Sequence, residues 1–166
     1  MMREYYLPSK PVYRYFRHLE NVLGGLGASY HDGSAAHLDL VQEATQPAWS
    51  ELRSTSPEEH AQLLRVDFPF LRFQLESHTV TILLCNGNTV SQEVQSLLPV
   101  QIVESGEMKR IRWWLGRATL GGRKIALAGW NYPLDKPTGL GKAGERELGQ
   151  LIGERWNFSD TRAVKS

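Results

Sequence analysis

The chain has 166 residues, a formal net charge of +1 and a pI near 7.9, with 41% apolar residues and one cysteine. That length suits one domain able to bury roughly two thirds of its unfolded surface. The near-neutral balance excludes the strongly basic class of nucleic-acid binders, so any polyanion site must be a local patch. Cys85 alone excludes an internal disulfide, a cysteine zinc site and an iron–sulfur cluster.

The amino terminus, MMREYYLPSKP, has no apolar signal core. No stretch reaches the ~20 apolar residues of a membrane span, so a soluble, cytoplasmic setting is expected. Val12, Tyr15, Phe16, Leu19, Val22, Leu23 and Leu26 repeat at helical spacing and predict a helix from Lys10 to Leu26, with Pro11 in its first turn and Gly24, Gly25 and Gly27 closing it. Ala35 to Val41 predicts a short core strand, followed by a turn at Thr45-Gln46-Pro47. Ser56 as N-cap, Pro57 at the first position and Glu58 and Glu59 on the positive dipole end start a helix through Leu63 and Leu64. A further helical stretch carries Phe68, Leu71, Phe73 and Leu75.

Thr79 to Val94 holds the central strand, a β-branched run that stops at Asn86-Gly87-Asn88 and restarts as a helix over roughly Val90 to Leu98. Cys85 within it reads as a buried structural thiol. Ile111 to Ala128 predicts a β-hairpin about Gly121-Gly122, and a polar loop from Asp135 to Gly141 feeds a last helix near Gly144 to Glu154. Residues 1–156 are read as one domain and 157–166 as a flexible tail. This order predicts an α/β fold, three-layer α/β/α with a small, mostly parallel central sheet. Leu38, Leu84 and Leu127 would lie on neighbouring parallel strands whose ends open onto a shared hollow.

The order of these pieces resembles the uracil-DNA glycosylase superfamily over roughly Lys10 to Ile152. His37-Leu38-Asp39-Leu40-Val41, with Thr45 and Pro47, is similar to the family's middle strand, where a polar residue hydrogen-bonds the extruded base. Asp67-Phe68-Pro69-Phe70-Leu71 with Gln74-Leu75 is similar to the helix before its fourth-strand region, and Ile82 to Val90 to its element of hydrophobic strand, Gly-Asn and small residue. Trp130-Asn131-Tyr132-Pro133-Leu134, with Gly139-Leu140 downstream, stands in the place of the second motif, a His-Pro-Ser or Asn-Pro-Ser loop that penetrates the DNA minor groove. The proline of this loop comes one residue late. The family's first motif, a Gly/Pro-rich loop that positions the hydrolytic water, has no counterpart in the residues before the first helix, which points to a remodelled relative or a piece of a longer protein.

The resemblance implies a nucleobase- or DNA-binding domain, with hydrolysis of N-glycosidic bonds as its activity and no cofactor. Ligands of open α/β sheets sit beyond the carboxyl ends of strands, which centres binding near Asn86 to Thr89. Asp39 is the one acid placed to hold a water or a base edge, and Asn86, Asn88, Thr89, Asn131, Tyr132 and His37 complete a base-binding set. Each has a structural alternative: Asp39 capping a loop, Asn88 capping the next helix, Asn131 as a turn residue before proline.

Arg110, Arg112, Trp114 and Arg117, with Arg123, Lys124 and Lys142, form a candidate nucleic-acid surface of cations interleaved with an aromatic ring. Period-two alternation puts Arg110, Arg112 and Trp114 on a solvated face and Ile111, Trp113 and Leu115 on a buried one, so a plain amphipathic hairpin explains the same pattern. His18, His31, His37, His60 and His78 show no metal-ligand spacing and read as structural or surface residues, His37 beside the pocket excepted. No metal is expected. Gly139 to Gly144 lacks the strand and the Ser or Thr of a phosphate loop, and no Gly-x-Ser-x-Gly elbow occurs. The expected partner is DNA, single-stranded or uracil-containing. The rival reading is a non-catalytic, homodimeric interaction protein that meets its partner through Arg14 and Arg17, and a nucleoside hydrolase is the third.

Overall fold

The computed structural model describes residues 14–42, 45–136 and 138–162. Among these described residues, five helices and four strands follow in the order α1 (Arg14–Leu26), α2 (Trp49–Thr55), α3 (Pro57–Ser77), β1 (Ile82–Asn86), α4 (Asn88–Leu97), β2 (Gln101–Met108), β3 (Ile111–Leu120), β4 (Arg123–Trp130) and α5 (Gly141–Arg162). The fold is mixed α/β. Its single sheet runs β1-β4-β3-β2, with β1 parallel to β4 and the other two pairs antiparallel.

The expectation of a mostly parallel sheet is therefore corrected. Two-residue turns at Lys109-Arg110 and Gly121-Gly122 join β2, β3 and β4 into a meander, and so short a connection can only reverse the chain. Only β1 reaches β4 through a crossover, made of α4 and two strands. β2 has no counterpart in the sequence reading. Its strand, QIVESGEM, is exposed along most of its length and carries glutamates, so its ladder with β3 rather than an apolar face holds it.

Three further expectations change. Ala35 to Val41 is irregular, bends at Leu40 and Val41 and forms no ladder among the described residues, so Leu38 is not on a strand beside Leu84 and Leu127. Its side chains still alternate, Ala35 toward one core and Leu38 and Leu40 toward the other, while the Gln42 amide is held by the buried carboxylate of Asp67 in α3 at 2.8 Å. The two helical stretches between Pro57 and Leu75 are one helix with Pro69 inside it. The turn predicted at Thr45-Gln46-Pro47 leads directly into α2, an unanticipated helix.

α1 ends where glycine allows it. Gly27, at φ +75°, donates to the Gly24 carbonyl, and the Ala28 amide donates to Leu23, the paired bonds of a left-handed helix stop. Gly25 has another task, because a Cβ there would come within 2.1 Å of the Arg146 carbonyl, and one on Gly149 within 2.0 Å of the Val22 carbonyl. α1 and α5 cross backbone to backbone at these two residues.

Two apolar clusters occupy opposite faces of the sheet, as strand parity requires. Ile111, Trp113, Leu115, Ala128 and Trp130 face Leu19, Val22 and Leu23 of α1 and Leu148 and Ile152 of α5. Cys85, Ala118, Leu120, Ile125 and Leu127 face Leu71 and Leu75 of α3 and Val94 of α4. Burial pushes the Cys85 thiol up to about 12. No helix among the described residues is long and apolar enough to cross a membrane.

Candidate functional site

The carboxyl ends of β1 and β4 lie side by side, Asn86 opposite Trp130, and the loop of residues 131–140 continues from there to α5. The Asn86 side-chain oxygen accepts from the Trp130 indole at 2.8 Å and from the Leu134 amide at 3.1 Å, which ties the loop back onto the strand it left beside. Gly87, at φ +98°, follows as the N-cap of α4, and a Cβ there would lie 3.0 Å from the Pro133 ring. This tight approach lets Pro133 close over the turn.

Asn131 extends the β3–β4 pairing by one step. Its amide donates to the Arg112 carbonyl at 3.0 Å, and its side-chain oxygen accepts from the Arg112 amide at 2.9 Å. Asn86 and Asn131, chosen from sequence as base-binding groups, thus spend these contacts on building the loop. Asn88 is exposed at the first position of α4, and its side chain makes no cap bond because Gly87 holds the cap position. Thr89 is half-buried in the same turn, and Tyr132, 48% exposed, projects from the loop.

Asp39 does not stand at a strand mouth. It lies exposed in the 35–41 segment with its carboxylate 3.2 Å from His37 Nε2, and His37 packs edge-on against Phe16 of α1 at 5.1 Å. The candidate nucleic-acid cations divide into two groups. Arg110 and Arg112 are exposed at the β2–β3 turn, whose Lys109 Nζ donates to the Gly139 carbonyl at 3.4 Å, and Lys142 is exposed in the first turn of α5. Of these, Lys109 reaches Gly139, the Arg112 backbone pairs with Asn131, and Lys142 follows the same loop in α5.

The others belong elsewhere. Arg123 caps α3 at the opposite end of β4, donating to the carbonyls of Leu75, Glu76 and His78, and Lys124 is exposed beside it. Arg117 lies over the Trp156 ring at 5.4 Å. The expected exposure of Trp114 is corrected: its indole is half-buried against the α3 and α4 core and fills the space where a Gly129 Cβ would be 2.6 Å away. Ile111, Trp113 and Leu115 form the buried face, as alternation predicts.

A cavity of about 250 Å³ opens beside the loop, lined by Leu134, Asp135, Lys136, Thr138 and Gly139 with His18 of α1 and Glu145 of α5. Glu145 is 2% exposed. One carboxylate oxygen pairs with His18 Nδ1 at 2.7 Å and the other accepts from the Asn21 amide at 2.7 Å. Thr138, also buried, accepts from the Leu140 amide at 3.3 Å and shapes the turn into α5.

Sequence reasoning gave His18 a structural or surface role and passed over Asn21 and Glu145. The signal was present in α5, where Glu145 falls on the same stripe as Leu148, Gly149 and Ile152: a charge on a buried face implies a partner on whatever packs there. Among the described residues, no group of three or more His, Cys, Asp or Glu is placed to hold a metal ion. No family model, no curated protein and no solved structure matches this chain.

Proposed function

We propose that this chain is a three-layer α/β/α domain of the uracil-DNA glycosylase type, holding nucleic acid at the carboxyl end of β1 and β4, with hydrolysis of N-glycosidic bonds as the activity. One observation carries the reading. Lys109 and the Arg112 backbone contact the 131–140 loop, Arg110 stands between them in the β2–β3 turn and Lys142 follows the loop in α5, and the loop presents an exposed Tyr132 with a cavity at its side. Cations around an exposed ring supply phosphate neutralisation and a stacking surface, and strand carboxyl ends are where α/β sheets bind ligands. The chain's near-zero net charge is compatible with this because the patch is local.

Binding of a labelled single strand of about 20 nucleotides, followed by fluorescence anisotropy across a salt series, tests the proposal. Replacing Arg112 and Lys142 together by glutamine removes two phosphate contacts and lowers the slope of log affinity against log salt by about 1.4. Equal losses from Lys124→Gln, at the opposite end of β4, would overturn it, as would affinity that ignores salt.

The rival reading, an interaction domain that pairs with a second copy, draws on a different surface. Val66, Phe70 and Phe73 form one outward stripe of α3 at 52%, 61% and 69% exposure. A monomeric mass over a wide concentration range removes that reading, whereas a dimer dissociated by Phe70→Glu favours it.

A further inference from the structure

Glu145 is a carboxylate placed where the fold would accept a leucine. On the same stripe of α5, Leu148 and Ile152 are fully buried against α1, and burying a charge instead costs several kcal/mol before its partners offset it. Both oxygens of Glu145 are engaged from one side, by His18 and Asn21 on successive turns of α1. α1 and α5 already cross at Gly25 and Gly149, so their packing does not depend on the polar cluster. A desolvated carboxylate that orients an imidazole at a cavity wall makes the pair a candidate for proton chemistry.

The orientation of the imidazole follows from its partner. An ionised carboxylate can only accept, so the bond places the His18 proton on Nδ1 and leaves the Nε2 lone pair free to take another. His18 lines the cavity and its side chain remains 28% exposed, which keeps the ring within reach of a substrate. The other charged groups near it are Asp135 and Lys136 of the lining, with Lys109 held against the Gly139 carbonyl. Asp39 lies in the exposed 35–41 segment and does not line the cavity.

We propose that His18 is the proton acceptor that activates water in this cavity, and that Glu145 is its positioning residue. The inference rests on the nucleic-acid reading given above and moves its chemistry from Asp39 to the α1–α5 junction. In the hydrolytic step a water oxygen forms a bond to the sugar C1′ as the C1′–N bond breaks. The bonding pair leaves with the base nitrogen, and the proton shed by the attacking water goes to His18 Nε2 and then to the departing base or to solvent. At about 250 Å³, the cavity is smaller than the roughly 300–1,000 Å³ of sites for larger ligands, so it suits one ring and a water rather than a whole nucleotide.

The test uses single strands carrying one deoxyuridine or deoxyinosine, with base loss read by alkaline cleavage under single-turnover conditions. His18→Gln should lower the rate by about 100-fold or more while strand affinity stays within about twofold. His18→Ala should regain activity on addition of free imidazole, a result that a folding defect cannot produce. Glu145→Gln should reduce the rate at saturating strand while the strand concentration that gives half the maximal rate stays within about twofold, a split that a general folding defect would not produce. Glu147→Gln, on the exposed side of α5, should match the wild type. Full activity in His18→Gln overturns the inference. A wild-type protein that binds the strand but releases no base also overturns it and leaves the binding reading intact, whereas failure to bind removes both.

Discussion

Replacing Asn86 by alanine should cost this fold about 3 kcal/mol, for a reason visible in two hydrogen bonds. The side-chain oxygen is the acceptor for the Trp130 indole at 2.8 Å and for the Leu134 amide at 3.1 Å, and both donors belong to residues almost without solvent exposure. A buried donor left without its acceptor loses about 1–3 kcal/mol in desolvation alone. The Leu134 amide can recover water only if the loop opens, which adds roughly 0.5–1.5 kcal/mol for the second bond.

Against a typical stability of about 5–15 kcal/mol, the total is large, and at about 2–4 °C per kcal/mol the melting midpoint should fall by roughly 10 °C. Guanidinium unfolding followed by far-ultraviolet circular dichroism would give the free energy, with an unchanged m-value showing that the native and unfolded states are otherwise alike. Trp130→Phe removes the donor from the other side. The double mutant should therefore show a coupling of about 1–3 kcal/mol rather than additivity. A loss below about 0.5 kcal/mol in the alanine variant, or strict additivity in the cycle, would refute the claim that this side chain anchors the loop.

Two further outcomes follow from burial and close packing. Gly149→Ala would put a methyl group 2.0 Å from the Val22 carbonyl, forcing α1 and α5 apart at a cost of about 1–3 kcal/mol, while Gly153→Ala, with only the Leu26 side chain at 3.4 Å, should be neutral or gain up to about 1 kcal/mol from helix propensity. Thermal melts of the pair decide it, and equal effects would show that the helix crossing is not set by that contact. Cys85, pushed up to about 12 by burial, should resist thiol reagents at pH 8 until the protein unfolds. The sign with pH is fixed: the unfolded thiol ionises from its ordinary value of 9.0 while the folded one stays protonated, so stability is intact below pH 9 and then falls by up to about 1.4 kcal/mol per unit toward pH 12. Cys85→Ala should flatten that slope, and an unchanged slope would assign the alkaline loss to other groups.

What the sequence disclosed and what it hid have different physical origins. α1, the start of α3, β1, α4 and the β3–β4 hairpin were legible because each carries its own local signal: helical spacing of apolar residues, proline at a first turn, a β-branched run, paired glycines at a turn. β2 was hidden because its residues gain their order from the neighbouring strand, and no alternation in QIVESGEM announces a buried face. The Ala35 to Val41 segment shows the converse. It has the alternation of a strand and buries it like one, yet it finds no ladder, because pattern reports which side chains are apolar and not whether a partner backbone lies within reach. Sheet direction failed for a third reason: Leu38, Leu84 and Leu127 predict three parallel neighbours, whereas the 35–41 segment joins no ladder and the two-residue turns on both sides of β3 leave only β1 and β4 parallel.

At the candidate site the same distinction runs through individual residues. Asn86 and Asn131 were conspicuous because polar groups at strand ends usually meet either a ligand or a loop, and sequence does not say which. The structure gives each a loop contact, and the indole of Trp130 and the backbone of Arg112 take up the side-chain oxygens that a base would have needed. Tied back at residues 131–134, the loop places Leu134, Asp135, Lys136, Thr138 and Gly139 along the cavity that His18 of α1 also lines. Rigid support is what an acid–base pair requires, since a proton acceptor displaced by even an ångström loses much of its effect. The asparagines would then matter to activity at one remove. Asn86→Ala should disturb the geometry around His18 and Glu145 without touching either, so its rate loss should shrink when the loop is restored by Asn86→Asp, which keeps a side-chain oxygen to accept from both the Trp130 indole and the Leu134 amide. A rate that falls equally in both variants would instead place the Asn86 amide itself against the ligand.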